Sequence, residues 1–490
     1  MVVVEVWEER RSVMKNPLWR RIPKELKDDF GKYIVIFLFM VITTGMVSGF
    51  MVAGESMKIT YDNTFDKYNV EDGHFDLSGE ASSDMMSAIE DEGVKLYDMS
   101  YYELPMIKTD STETSDDGAR TLRIFAPRHD VNKTCIMDGE LPAVDDEIAI
   151  DRMYAVNNDI SVGDEVKVGG KAYKVCGFVA LSDYSTMFQD NHDTMFDATI
   201  FGVAIVANAE FEDLPEKNKT WSYSWMYDAG MPDDEGDEKK LADDLLETVY
   251  AQAAQNDMSI ESYIPRYQNQ AINFAGDDIG SDANMMKWFE YIVIVILAFI
   301  FAVTISNTIT KEASVIGTLR ASGYTKSELL VHYISLPVIV TFAASLVGNV
   351  LGYSVFKNVG ADLYYASYSL TKYVTYWNAD AFVLTTVIPM IIMVVVNLLV
   401  VNSKLKLSPL RFLRHDLSRS RRKKAVKLPH WKFMTRFKTR VILQNIPGYV
   451  VMLLGIYFAQ VLLMFGLMLN PLLAHYQSDI LANMIADHQY

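Results

Sequence analysis

The stretch YIVIFLFMVITTGMVSGFMVA, from Tyr33 to Ala53, holds 21 residues without a charged side chain. A helix rises about 1.5 Å per residue, so about 20 apolar residues cover the roughly 30 Å hydrocarbon core of a bilayer. A secretory signal peptide has a shorter apolar core, of about 7–15 residues, and here 32 residues precede the stretch. It therefore predicts a retained membrane span.

Four further stretches have the length and polarity of a span, whereas a buried core helix is usually shorter and has a polar face. We therefore expect a polytopic α-helical membrane protein with five predicted spans and a large α+β extracytoplasmic domain between spans 1 and 2. The predicted segments are 1–32 (cytoplasmic), 33–53 (span 1), 54–287 (outside domain), 288–310 (span 2), 311–330 (cytoplasmic loop), 331–356 (span 3), 357–380 (outside loop), 381–401 (span 4), 402–445 (basic cytoplasmic linker), 446–473 (span 5) and 474–490 (the start of a second outside domain).

Charge is segregated along the chain. Its 490 residues carry a formal net charge of −18, and half of them are apolar. Between Gly54 and Lys287 there are 49 acidic and 18 basic residues, while the remainder has 14 acidic and 27 basic residues. This division argues against a simple globular enzyme, against a nucleic-acid binder that works through overall charge and against a disordered chain.

The short loops predict the orientation of the spans, because Lys and Arg accumulate on the cytoplasmic side. Segments 1–32, 311–330 and 402–441 carry 25 of these residues, against 2 in segments 357–380 and 471–490. We expect a multi-pass membrane protein with a cytoplasmic N-terminus. The basic linker is expected to touch anionic lipid headgroups rather than nucleic acid.

The sequence pattern of the outside domain predicts an α+β fold. Short strands are predicted at Glu147–Ile150 and Thr199–Val206, and Ser161–Val175 alternates apolar and polar residues around Gly169-Gly170, as a hairpin does. Leu241–Ala254 has a helical pattern. The acidic run 233–238 lacks the spacing of an EF-hand, so a solvated loop is preferred to a calcium site.

Two cysteines lie in this domain, Cys135 and Cys176. Outside the cell a disulfide could persist, and the alternative is two small buried apolar residues. The chain contains no His-Glu-x-x-His, Gly-x-Ser-x-Gly or Gly-x-x-x-x-Gly-Lys-Ser/Thr motif. We therefore predict no catalytic residue, no metal site and no ATP-binding loop in this chain.

The loop after span 2 predicts a short amphipathic helix. Val315, Ile316 and Leu319 share one face, Gly323 is a plausible helix stop, and Thr325 could cap the next helix. From the pattern alone, this could be a passive helix at the membrane surface or one that docks on a partner.

The same loop resembles a known family. Ile316-Gly317-x-Leu319-Arg320-Ala321-x-Gly323 is similar to the signature of FtsX-like (MacB-type) ABC transporter permeases. The order of one span, a large outside domain and three more spans also resembles that family. So do the outside segments Gly139–Pro142, Asp146–Ile150, Gly163–Val166 and Tyr173–Gly177.

The resemblance implies a permease subunit of the bacterial cell (plasma) membrane, without enzymatic activity. Segment 311–330 would be a coupling helix on a separate cytoplasmic ABC ATPase, which would hold ATP and Mg²⁺, while this chain binds no cofactor. Val315 stands where members often have an acidic residue, so Glu312 is taken instead. The coupling residues implied are Glu312, Ile316, Gly317, Leu319, Arg320 and Gly323.

In that role the apolar face would fill a groove on the ATPase, the glycines would allow close approach, and Arg320 would pair with a carboxylate of the partner. The output would be export of a peptide, lipid-linked or drug substrate, or movement passed to the outside domain. A peptide or lipoprotein would be the outside partner, and the assembly would be dimeric or pseudo-dimeric.

An alternative function is a membrane-anchored sensor that binds cationic extracellular peptides without an ATPase. Span 5 and its flanks resemble span 1 at an offset close to 415 residues. Larger members of the family carry two such units, so we expect the sequence to stop early in a second unit; a five-span protein with a short outside tail is the alternative. Met14 is a plausible natural start.

Overall fold

The computed structural model describes residues 17–108, 120–232, 234–415 and 432–483. Two compact units divide the chain. The first comprises Met1–Phe37, Tyr291–Ala343 and Val387–Tyr490, and the second comprises Leu38–Glu290 and Ala344–Thr386.

Among the described residues, four helices are long and apolar enough to cross a membrane: α2 (Phe30–Tyr68), α7 (Gln270–Lys311), α9 (Lys326–Ser367) and α10 (Ala379–Leu405). Each contains one of the first four predicted spans, and this protein is embedded in a membrane. Helices α2 and α7 run about 15 residues or more into the charged sequence that was assigned to the outside domain. A hydropathy pattern marks the apolar part of a helix and not its end.

The fifth predicted span lies in one continuous helix, α12 (Phe433–Asn483), whose apolar portion is Gly455–Met468. That portion is shorter than the roughly 20 residues that cross a bilayer. A fifth span therefore stays a prediction.

Small residues bring α2 and α9 close together. Gly45 and Gly49 lie against Phe356, and a Cβ added at Gly49 would be 2.5 Å from the Phe356 Cβ. From the other side, a Cβ at Gly352 would be 3.0 Å from the Gly45 carbonyl oxygen. In lipid, such close backbone packing takes the place of a hydrophobic driving force between helices.

The first lobe of the α+β domain is a sheet of four strands. They are β1 (Gly73–Leu77), β2 (Val94–Asp98), β10 (Lys219–Tyr227) and β11 (Ile260–Pro265), all paired antiparallel. One face packs on α3 (Ser83–Glu90) and α6 (Glu235–Gln255), around the fully buried Phe75 and Trp225. Because residues alternate across a strand, His74 and Asp76 of β1 lie on the opposite, polar face.

The second lobe holds the other seven strands and two short helices, α4 (Arg152–Asn157) and α5 (Asn208–Asp213). The strands are β3 (Tyr101–Lys108), β4 (Thr121–Phe125), β5 (Thr134–Gly139), β6 (Glu147–Asp151), β7 (Glu165–Val168), β8 (Lys171–Leu181) and β9 (Phe201–Val206). All six residues of β9 are buried, as expected of an apolar run in the middle of a sheet. β9 pairs parallel with β4 and antiparallel with β6.

Several sequence predictions for this domain are confirmed. β7 and β8 form the hairpin around Gly169-Gly170, and α6 contains the helix predicted at Leu241–Ala254. In the acidic run, Asp234 caps α6 by accepting a bond from the Gly236 N–H at 2.9 Å. Position 233 lies outside the described residues.

The structure contradicts the possible disulfide between Cys135 and Cys176. Cys135 pairs with Ala180 across β5 and β8, whereas Cys176 lies four residues earlier on β8. Four residues of a strand span about 13 Å, which is far beyond the reach of a disulfide. Both cysteines are free, with Cys135 buried.

The loop between α9 and α10 is fastened to the second lobe. The Arg152 guanidinium at the start of α4 donates to the carbonyl oxygens of Tyr365 at 2.6 Å and Tyr368 at 3.2 Å. The Ser369 hydroxyl donates to the buried Asp151 carboxylate. The predicted outside loop 357–380 is shorter than expected, because α9 continues to Ser367.

An ion pair between the buried Glu71 and the half-buried His74 is expected to make the stability of the α+β domain depend on pH. His74 Nδ1 lies 2.6 Å from Glu71 Oε1. Burial alone would lower the pKa of His74, but the Glu71 carboxylate raises it to about 9. Burial alone would raise the pKa of Glu71, but His74, Ser224 and Asn132 together lower it to about 2.

We predict that the domain loses stability as the pH rises from about 6.5 to above 9. The pKa of His74 is higher in the folded state than in the unfolded state, so its stabilisation is complete below the unfolded value and disappears above the folded one. The effect should be of the order of 2–3 kcal/mol. Thermal unfolding of the full chain in detergent between pH 6 and pH 9.5 measures it.

His74→Gln should remove most of this pH dependence. The matched control is His192→Gln, because 94% of the His192 side chain is exposed. An unchanged slope in His74→Gln would refute the assignment.

Candidate coupling site

The signature loop folds as the pattern predicts. Helix α8 (Ala313–Ala321) is followed by Gly323, whose φ of +100° lies in the region that glycine adopts most easily. Thr325 then begins α9 with a capping box. Its hydroxyl accepts a bond from the Glu328 N–H at 3.2 Å, and its own N–H donates to the Glu328 carboxylate at 2.8 Å.

Helix α8 is seated on a short helix that comes about 90 residues later, α11 (Pro409–Leu413). Ile316 is fully buried in an apolar cluster with Ile309, Leu405 and Phe412. The apolar face of α8 around Ile316 therefore packs against other parts of this chain, and not in a groove on a partner.

Gly317 is the point of closest approach between the two helices. A Cβ added there would lie 2.9 Å from Leu413 Cγ and 3.0 Å from the Leu413 backbone nitrogen. Contacts that short require something to move. Glycine is needed at this position so that α8 can lie against the backbone of α11.

Arg320 joins α8 to the end of α10. Its guanidinium donates to the carbonyl oxygen of Leu405 at 3.1 Å and also to that of Leu407. The last carbonyls of a helix lack partners within the helix and carry partial negative charge, so an arginine satisfies and stabilises them. Arg320 thus has partners inside the chain, and the expected pairing with a carboxylate of the ATPase is not needed to explain it.

Glu312 is held by the N-terminal segment and by α9. It accepts a bond from the Tyr333 hydroxyl at 2.6 Å and lies 3.7 Å from the Arg21 guanidinium. Arg21 also pairs with Glu25 at 3.1 Å. Sequence analysis did not connect residues 17–32 with this loop, because both segments carry charges of both signs and give no signal for a particular pair.

The exposed side chains of this site are small on α8 and apolar on α11. Ser314, Thr318 and Ala321 are exposed on α8, and Leu319 is half-buried. On α11, Leu410 is 55% exposed and Leu413 is 45% exposed. Sequence analysis missed α11 completely, because five residues give no measurable periodicity.

Among the described residues, no group of three or more His, Cys, Asp or Glu side chains is placed to hold a metal ion. Comparison with known proteins gives one family match: residues 289–407 match the FtsX-like permease C-terminal family. No curated protein matches the chain. The matched segment runs from the apolar part of α7 through α8 and α9 to the end of α10, so it contains the signature helix. This segment of the chain is thus similar to the C-terminal domain of FtsX-like permeases.

Proposed function

We propose that this protein is the membrane-spanning subunit of an ABC transporter complex, and that a separate ATPase docks on the composite surface of α8 and α11. The match over residues 289–407 supports the permease role. The observation that carries the docking proposal is the seating of α8 on α11. A helix fixed along one side presents its opposite side in a constant orientation, as a lever contact requires.

In this proposal, signature residues hold α8 in place, and residues outside the signature set contact the ATPase. Ile316, Gly317 and Arg320 position α8 from within the chain. The ATPase contacts the exposed side, formed by Ser314 and Thr318 together with Leu410 and Leu413. An apolar pair bordered by short polar side chains fits a partner that offers an apolar groove.

ATP binding and hydrolysis occur on the partner, since the chain has no phosphate-binding loop. In this proposal the loop helix lies in the cytoplasm and the α+β domain outside the cell. Each of α2, α7, α9 and α10 has residues in both compact units. Movement of α8 passes along these helices. The hydrogen bonds that join Arg152 and Asp151 to the end of α9 and the loop after it transmit the movement to the α+β domain. The output is export of a substrate or movement of the domain itself.

Thr318→Trp tests the docking surface. The residue is exposed, so we expect the melting temperature of the chain to stay within a few degrees of the wild-type value, while an ATPase that co-purifies with the wild type is reduced at least tenfold. The measurement is ATP hydrolysis by the tagged chain isolated from its native membrane in mild detergent, with the partner identified by mass spectrometry.

The matched control is Asp244→Trp, at an exposed position of α6 in the α+β domain. It should leave ATP hydrolysis unchanged. Equal ATPase recovery with Thr318→Trp would contradict docking on α8. Absence of any ATPase from the wild-type preparation would favour the sensor function instead.

A further inference from the structure

A charged cleft separates the two lobes of the α+β domain. Its floor is the polar face of the four-stranded sheet, with His74 and Asp76 from β1 and Ser222 from β10. Its other wall contains Arg128, which follows β4, and Asp183, which follows β8. The cavity has a volume of about 170 Å³. A cavity of about 150 Å³ holds a benzene molecule, so this one admits a group the size of a side chain.

The walls are built from charges that already have partners. Arg128 donates to both carboxylate oxygens of Asp183 at 2.7 Å, and both side chains are less than a tenth exposed. Glu71 accepts from Asn132 at 2.7 Å and also pairs with His74. Bringing several charges together inside the domain costs desolvation energy even when they are paired.

Two charged residues of the lining, Asp76 and Arg128, each have a buried atom without a hydrogen-bond partner among the described residues, and for Arg128 this is Nε, although its Nη1 pairs with Asp183. Asp76 is the carboxylate of the two. Its Oδ1 is buried and finds no hydrogen-bond partner among the described residues. The residues opposite it on the neighbouring strands are Ser222 and Ser262, so no cation faces it across the sheet. A buried carboxylate oxygen without a donor is costly, and a cation bound beside the carboxylate would lower that cost.

The net charge of the cleft indicates which kind of ligand it would bind. Its described lining contains five carboxylates, those of Glu71, Asp76, Asp183, Asp190 and Glu261. With His74 protonated there are three cations, the others being Arg123 and Arg128. Two negative charges therefore remain uncompensated. The surrounding block 54–287 is itself strongly acidic, with 49 acidic against 18 basic residues, and would concentrate cations near the opening.

We propose that this cleft binds an ammonium or guanidinium group, with Asp76 as its counter-ion and Glu261 at the opening. The group belongs to a small organic cation or to a Lys or Arg side chain of a peptide. Nothing in this binding step requires the ATPase, so it can succeed or fail independently of the proposed permease function.

Calorimetric titration of the full chain in detergent tests the proposal, with agmatine and the tripeptide Gly-Lys-Gly amide as probes and glutarate as the anionic control. We expect saturable binding of at least one cation and none of glutarate. Binding of agmatine alone indicates a free small cation, and binding of the tripeptide indicates a peptide side chain; either result supports the site.

Asp76→Asn keeps the shape of the side chain and removes its charge, and it should weaken binding at least tenfold. Asp84→Asn, at an exposed position of α3, is the matched control and should bind as the wild type does. Should Asp76→Asn fail to fold, Glu261→Gln serves instead, because Glu261 is exposed; it should weaken binding two- to fivefold. No binding of either cation, equal binding of glutarate, or wild-type affinity in Asp76→Asn would overturn the proposal.

Discussion

Replacing Gly317 by leucine is expected to abolish the ATP hydrolysis that co-purifies with this chain. Even a single Cβ at this position would meet Leu413 Cγ at 2.9 Å and the Leu413 nitrogen at 3.0 Å. A backbone atom cannot rotate away, so the whole of α8 must move off α11. Overpacking typically costs about 1–3 kcal/mol, and the displacement also removes Ile316 from its apolar cluster. The measurements are the melting temperature and the ATPase activity of the purified complex.

A second substitution, at Leu413 of the same chain, distinguishes internal packing of Gly317 from a direct contact with the ATPase. In Gly317→Ala, the closest contact is with the Leu413 side chain, so Leu413→Ala in the same chain should restore part of the lost stability. Gly466→Ala is the control, because nothing lies within 4 Å of a Cβ at that position. Full activity in Gly317→Leu, or no rescue in the double variant, would show that the α8–α11 contact does not set the coupling geometry.

Arg320→Glu should have the second largest effect. The substitution removes two hydrogen bonds to carbonyl oxygens and sets a carboxylate against the negative end of α10. Hydrogen bonds from a charged donor contribute about 1.5–3 kcal/mol each. We expect a clear fall in melting temperature and a loss of at least tenfold in ATPase activity of the complex.

Arg320→Lys separates the two possible roles of this residue. Both carbonyl oxygens bind one nitrogen, Nη1, which the rigid planar guanidinium holds in place; a lysine keeps the charge but places it on a flexible stem. If Arg320 acts within the chain, Arg320→Lys should lower the melting temperature as well as the activity. A normal melting temperature with lost activity in both variants would instead support a carboxylate of the ATPase as its partner.

The sequence was sufficient for the local structure of the loop. Gly323 as a helix stop and Thr325 as a cap depend only on neighbouring residues, and both predictions are confirmed. The surroundings of α8 could not be predicted in the same way. Periodicity shows that Ile316 and Leu319 share a face with Val315, but it does not show what that face touches. The answer depends on α11, which is about 90 residues away in the chain.

The cleft had a signal in the sequence that was not used. In Gly73-His74-Phe75-Asp76-Leu77, the polar residues occupy alternate positions, which places them together on one side of a strand. An antiparallel sheet with one polar face is ordinary when that face meets water. Only the fold shows that a second lobe covers this face and leaves Asp76 Oδ1 without a hydrogen-bond partner among the described residues.

The attachment of the loop between α9 and α10 depends largely on main-chain atoms. Arg152 grips the carbonyl oxygens of Tyr365 and Tyr368, which every amino acid offers in the same form. The two bonds to Arg152 can thus survive the exchange of side chains, provided that the backbone keeps its course, whereas the bond from Ser369 to Asp151 requires a hydroxyl. Relatives can therefore differ in much of this stretch and still keep its attachment to the α+β domain.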